Sequence, residues 1–122
     1  MGISSFVSFL VDTGADRSMV GPADAMRMGV PYDLLEDSSL ITGIGGVKTV
    51  YLENAVLGFA GSAHLYLFVL PIGLTEHDPD LEGVPSLLGR DILDRWKIVY
   101  CRPDNILSFE VRTADSSVRT RD

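Results

Sequence analysis

The sequence has 122 residues, the length of one domain. Ten Lys and Arg against seventeen Asp and Glu give a formal charge of −7, the opposite of the basic footprint that a phosphate backbone demands, so nucleic acid is excluded as the expected partner. Hydrophobic residues make up 46%, with twelve Gly and six Pro, which fits a chain that buries a core and turns often and rules out disorder.

In chain order the elements read mostly as short strands. Phe6 to Val11 is a nearly continuous apolar run of β-branched and aromatic residues, the pattern of a strand buried on both faces. It ends abruptly at Asp12-Thr13-Gly14-Ala15-Asp16. Pro22 suits a first helical turn, Ala23 to Met28 continue the helix, and Gly29 stops it ahead of Pro31. Leu40 to Thr42 and Val47 to Leu52 flank Gly43-Ile44-Gly45-Gly46, a hairpin with a flexible tip. Ala55 to Phe59 pairs with Leu65 to Leu70 across Ala60-Gly61-Ser62-Ala63. Pro71 to Gly83 contains two further turn signals and four carboxylates, and is expected to be an exposed loop.

Leu87 to Trp96 reads as a strand end running into a second short helix. Ile98 to Cys101 and Ile106 to Val111 form a last hairpin over Arg102-Pro103-Asp104-Asn105. From Arg112 the chain is polar, a flexible tail over residues 112–122. The expected class is all-β with two short helices in a single domain over residues 1–111.

Asp12-Thr13-Gly14-Ala15 carries the chemistry. A carboxylate at the end of a strand, followed by a Gly turn, is held firmly at the floor of a cleft. Thr13 offers a hydroxyl to lock the loop, and Gly14 lets a substrate backbone approach closely. A strand-ending Asx turn would use the same residues. Two further segments decide between these readings, the Gly-rich hairpin with Ile44 at its tip and the apolar-apolar-Gly-Arg-Asp segment near the C-terminus.

Together the three segments resemble the retropepsin-like aspartic proteases. Asp12-Thr13-Gly14-Ala15-Asp16 is similar to their active-site loop, and Thr42-Gly43-Ile44-Gly45-Gly46-Val47-Lys48 to their flap. Leu87-Leu88-Gly89-Arg90-Asp91-Ile92-Leu93 resembles the strand-to-helix segment behind the active site. The likeness runs from about Phe6 to Val111, and the Met28-Gly29-Val30-Pro31 helix close fits the cellular and bacterial-type members. It implies a closed β-barrel of the acid-protease fold, one lobe per chain.

The implied activity is an aspartic endopeptidase. Hydrolysing a peptide bond without a metal or a covalent nucleophile takes one group to accept a proton from water and another to protonate the carbonyl oxygen. Two carboxylates sharing one proton do both, because like charges about 3 Å apart cannot both ionise. The chain holds one Asp-Thr-Gly and is too short for two lobes. Asp12 of a second copy must therefore supply the other carboxylate, and the partner is a homodimer mate.

The resemblance further implies that Thr13 grips its counterpart beneath the two carboxylates. Gly14, Ala15 and Asp16 present backbone to the substrate, and Asp16 pairs with Arg90 to fix the loop. On the flap, Thr42, Gly43, Ile44 and Gly45 cover the peptide, with the Ile44 N–H donating to a substrate carbonyl. No metal or organic cofactor is implied.

Three features depart from the family. Only eleven residues precede Asp12, where relatives place a whole hairpin, so either the domain is trimmed at its N-terminus or another element supplies the strand. The hairpin of Ile98 to Val111 extends beyond the retroviral pattern and could form the dimer sheet by itself. Arg17 stands at the pocket rim where the best-known retroviral member has an acid, so specificity does not transfer. The alternative function is a non-catalytic dimerisation or peptide-binding module on the same fold.

Other motifs fail. Gly43 to Gly46 lacks both the third Gly of a dinucleotide loop and a Gly-Lys-Ser/Thr. Asp78 to Gly83 starts like a calcium loop, but its twelfth position is Gly89 where a bidentate Glu is needed. Cys101 is the only cysteine, which excludes an internal disulfide and a cysteine metal cage. His64 and His77 have no ligand spacing with it. No apolar run nears the roughly 20 residues of a membrane span. The start has no basic stretch ahead of an apolar one, and Phe6 stands where a myristoylation motif wants Ser or Thr. Neither membrane nor export is expected, and the cytoplasm is the default compartment. Mean hydropathy of +0.21 is high for a small monomer, and points to a partner subunit over part of the apolar surface.

Overall fold

The computed structural model describes residues 2–35, 38–43, 46–75 and 83–120. Among these, nine strands and two short helices succeed one another in the order β1 (Phe9–Val11), β2 (Met19–Val20), α1 (Pro22–Met28), β3 (Ser38–Gly43), β4 (Gly46–Ala60), β5 (His64–Thr75), β6 (Ser86–Leu88), α2 (Arg90–Leu93), β7 (Trp96–Cys101), β8 (Ile106–Val111) and β9 (Ser116–Arg119), with a 3-10 turn at Tyr32–Leu34. The mainly β reading with two helices therefore holds. Among the described residues no helix is long and apolar enough to cross a membrane.

The main sheet runs β1-β6-β2-β5-β4-β3, with β9 also on β5, and β7 and β8 make a separate hairpin. The expected closed barrel is not found. Among the described residues the path ends at β1 on one side and β3 on the other, and these two do not pair. β6 enters between β1 and β2, parallel to the first and antiparallel to the second. The loop of residues 12–18 that joins β1 to β2 must consequently pass over the junction of β6 with α2.

Local signals place several elements well. Pro22 opens α1, and Gly29 closes it in the left-handed region at φ 72°. The β3–β4 hairpin pairs Thr42 with Val47 and Gly43 with Gly46. Ala55 faces Leu70 and Phe59 faces Tyr66, as the apolar runs suggest. Asn105 takes a positive φ of 57° in the turn between β7 and β8, a conformation Asn tolerates because its short amide can bond locally.

Three expectations need correction. The strand read as Phe6 to Val11 is confined to Phe9–Val11, and Phe6 is 96% exposed and Leu10 57%. β1 has β6 as its neighbour, and of its three residues Phe9 packs against the core while Leu10 and Val11 stay exposed. Pro71 to Thr75 belong to β5 and not to a loop, with Ile72, Gly73, Leu74 and Thr75 buried. Pro71 is tolerated there because its missing N–H falls on the β5 edge between two other partners. On that edge the Val69 N–H donates to Asp115 and the Gly73 N–H to the Ser18 carbonyl. Glu76, His77, Asp78, Asp80 and Glu82 of the expected acidic loop lie outside the described residues. The stretch after Val111 forms β9, which pairs antiparallel with His64–Leu67, in place of a frayed tail.

Two apolar clusters meet at Phe9. Val20, Ala25, Ile72 and Leu74 form one, and Phe68, Leu88, Ile92 and Leu93 form the other. Trp96 packs edge-on to Phe59 at 4.9 Å between ring centroids, and also against Phe109, which ties the β7–β8 hairpin to the sheet. Burying a side chain such as Phe68 or Ile92 contributes about 1.5–3 kcal/mol.

Two carboxylates brace the periphery of these clusters. Asp24 on α1 accepts the Ser86 hydroxyl at 2.5 Å and pairs with Arg27, while the Ser86 Oγ accepts the Gly21 N–H. Asp115 accepts the Val69 N–H and the Arg95 guanidinium, which itself lies 4.8 Å over the Phe68 ring. The Ser86 hydrogen bond holds the Asp24 carboxyl below its usual value of 3.8, and the Val69 N–H does the same for Asp115.

Because both carboxyls are lowered in the folded state, their stabilisation is complete above pH 3.8 and is lost as pH falls through the lowered values. Thermal unfolding followed across the acid range is expected to show the midpoint dropping only below about pH 4. Asp24→Ala leaves the buried Ser86 hydroxyl without its acceptor and should cost about 1–3 kcal/mol at neutral pH. An unchanged neutral midpoint in that variant would contradict the brace. At the β6–α2 junction, a Cβ on Gly89 would sit 2.7 Å from the Arg17 backbone carbon and 2.9 Å from the Ala15 carbonyl oxygen. Gly89→Ala should therefore destabilise by about 3 kcal/mol in denaturant unfolding, since backbone cannot swing aside as a side chain can.

Candidate active site

Asp12 comes directly after β1, and its N–H donates to the Leu88 carbonyl at 2.9 Å, which extends the β1–β6 pairing by one residue. The chain then turns on its own groups. The Gly14 N–H donates to Asp12 Oδ1 at 2.9 Å, and the Ala15 N–H to the Asp12 carbonyl at 3.1 Å. This is an Asx turn, and it fixes one carboxylate oxygen against the loop. The other oxygen has no hydrogen bond among the described residues. Asp12 and Ala15 are half-buried, while Thr13, Gly14, Asp16 and Arg17 are exposed.

β6 and α2 grip this loop from below. The Arg90 N–H donates to the Ala15 carbonyl at 2.8 Å, and the Arg90 guanidinium pairs with Asp16. That ion pair is open to solvent in the single chain, with side-chain exposures of 47% and 86%, so by itself it adds little to stability. A more buried polar contact is made one residue further on, by Asp91. Ser18 is fully buried; its N–H donates to Asp91 Oδ2 at 2.8 Å and its hydroxyl to Asp91 Oδ1 at 2.6 Å. The Gly89 N–H donates to the Ser18 Oγ at 2.9 Å, and the Ser18 carbonyl accepts the Gly73 N–H from β5.

Ser18 and Asp91 were not legible as site residues. A Ser after a loop and an Asp in a helix are both ordinary, and their sequence separation is 73. The only available signal was the neighbourhood, since each lies within or no more than two residues outside a segment already singled out. Thr42 and Gly43 lie at the end of β3, with four strands between β3 and β1 along the sheet path. Ile44 and Gly45, the expected flap tip, lie outside the described residues.

A well-formed cavity lies away from Asp12. About 630 Å3 opens between the N-terminal segment and β4 and β5, lined by Phe6, Phe9, Val20, Val56, Leu57 and Ile72 among others. Its lining is apolar and holds no pair of acid and base groups, so size alone does not make it the reactive site. Asp12 lies apart from that lining, half-buried beside the exposed Thr13 and Gly14.

The family model described as Aspartyl protease matches residues 4–92. No curated protein matches the chain. The matched stretch begins before β1, takes in the Asp12 loop, α1 and the β3–β4 hairpin, and ends on Ile92 in α2, so it contains both the loop and the segment that grips it. With that match over most of its length, the chain belongs to the aspartyl protease family, in its retropepsin-like branch.

Proposed function

We propose that the chain is a homodimeric aspartic endopeptidase with a retropepsin-like fold, one lobe from each subunit. The observation that carries this is Asp12 itself. It stands half-exposed on a turn whose two ends are tied to β6 and α2, with Thr13 and Gly14 open beside it. A lone carboxylate so placed has no proton partner among the described residues of its own chain, and a second Asp12 across a two-fold axis would supply one.

In that dimer the ionised Asp12 takes a proton from water as the water attacks the peptide carbonyl carbon. The protonated Asp12 gives its proton to the carbonyl oxygen. As the C–N bond of the tetrahedral diol breaks, one carboxyl gives its proton to the leaving nitrogen while the other carboxylate takes a proton from a diol hydroxyl, so the pair ends with one proton between them as it began. Thr13 supports the pair from beneath, and the backbone of Gly14, Ala15 and Asp16 holds the substrate as an added strand, with Thr42, Gly43, Ile44 and Gly45 above it. The reaction as written requires no cofactor.

The β7–β8 hairpin supports the dimer. Tyr100 is 72% exposed and Leu107 59%, with Val99, Ile106 and Phe109 also open, apolar side chains that a partner subunit would cover.

Cleavage of a diverse peptide pool from mildly acidic to neutral pH tests the reading. Discrete cuts are expected, with specific activity rising with protein concentration, and Asp12→Asn should lower the rate by about 10³-fold or more. Leu107→Asp should raise the concentration needed for half-maximal activity by about 30-fold, the effect of losing one interface anchor. Peptide binding without any Asp12-dependent cut would point instead to the non-catalytic module.

A further inference from the structure

Resting on the reading of Asp12 as the reactive carboxylate, we infer that Asp91, acting through Ser18, is the positioning residue that holds the Asp12-Thr13-Gly14 turn in its working geometry. Within Asp12 to Arg17 the internal bonds are short-range, the Arg90 contacts to Ala15 and Asp16 reach only its middle, and four of its six residues are exposed. Such a turn keeps one shape only if both ends are fixed. The entry is fixed by the Asp12 N–H on Leu88. The exit is fixed at Ser18, and there every polar group is engaged.

The Ser18 N–H and hydroxyl reach the two oxygens of a single carboxylate, its Oγ accepts the Gly89 N–H, and its carbonyl accepts the Gly73 N–H. Both bonds to Asp91 are charge-assisted and short, and one partner is fully buried. Asp91 is thus oriented by a two-point contact that no single rotamer change preserves. The exposed Asp16–Arg90 pair cannot serve in this way in the single chain, since water competes for both partners.

The chemistry also sets what replaces what. Ser18→Ala removes the hydroxyl that bridges the Gly89 N–H and Asp91 Oδ1. Asp91→Ala leaves the Ser18 N–H and hydroxyl without acceptors in a buried place. Asp91→Asn keeps the shape and still accepts the Ser18 N–H, but its amide nitrogen cannot accept the Ser18 hydroxyl, so it should restore part of what Asp91→Ala loses.

Steady-state cleavage by the dimeric wild type, Asp91→Ala, Asp91→Asn and Ser18→Ala tests this, beside amide hydrogen exchange on the same proteins. A turn displaced by about 1 Å costs about 10²-fold in rate. Asp91→Ala is accordingly expected to lower kcat by that order with KM within about twofold, and Asp91→Asn to recover part of the loss. Exchange at residues 12–18 should quicken in Asp91→Ala and Ser18→Ala while that at β7–β8 stays as in the wild type. Unchanged kcat in Asp91→Ala, or a loss that Asp91→Asn does not relieve, would overturn the positioning role. If Asp91→Ala fails to fold, Ser18→Ala decides by the same kcat and exchange criteria. Absence of any Asp12-dependent cleavage in the wild type would sink the functional reading separately, and the exchange result would still decide whether Asp91 holds the turn.

Discussion

Everything at the candidate site depends on β6 lying between β1 and β2. Once a strand from residues 86–88 is inserted between two strands from the chain's first twenty residues, the loop joining those two has to cross over the segment C-terminal to β6. That segment is Gly89 and the first turn of α2. The crossing is so close that a single methyl at Gly89 would meet the Arg17 and Ala15 backbone. The loop's shape is therefore set by packing from distant sequence more than by its own turn chemistry, and the reactive carboxylate inherits that order.

This explains which parts were legible in the residues. Elements whose cause is local were readable: α1 from Pro22 and Gly29, the β3–β4 hairpin from its Gly-rich tip, and the β7–β8 hairpin from Arg102 to Asn105. The Asp12 turn was readable too, because an Asp with a Gly two residues on makes its own hydrogen bond. The Ser18–Asp91 contact was not, since its two halves acquire meaning only when the sheet brings them together. Likewise Pro71 and Gly73 carry turn signals that the β5 edge cancels: the Pro needs no partner at its position, and the Gly lets Val50 and Met19 close over the strand. The polar residues after Val111 gave no strand pattern, and β9 owes its place to Asp115 and Arg95.

The N-terminal segment shows the same dependence from the other side. Phe6 and Leu10 have the composition of core residues, yet both remain open. Arg27 ties the segment down through Ser5 and the Phe6 carbonyl, contacts to polar groups that leave the phenyl ring uncovered. The apolar cavity against β4 and β5 lies beneath this stretch. Exposed large apolar residues occur both in the N-terminal segment and on the β7–β8 hairpin, among other places.

That distribution changes the weight of the Asp16–Arg90 pair. In one chain both side chains meet water, and the attraction between them is largely offset by what each gives up in hydration. A second subunit brought against the Asp12 loop would remove that water. Desolvated, the two charges cost several kcal/mol each unless they stay paired and hydrogen-bonded. The same pair would then pass from nearly neutral to obligatory, and the Arg90 N–H on the Ala15 carbonyl already holds the two chain segments in register for it. The interior contact of Ser18 with Asp91 orders the loop within one subunit, and the exposed contact of Asp16 with Arg90 is poised to do so between two. On the proposed reading, a site built from two copies of Asp12 would require both kinds of order, because each turn must be right before the pair can be.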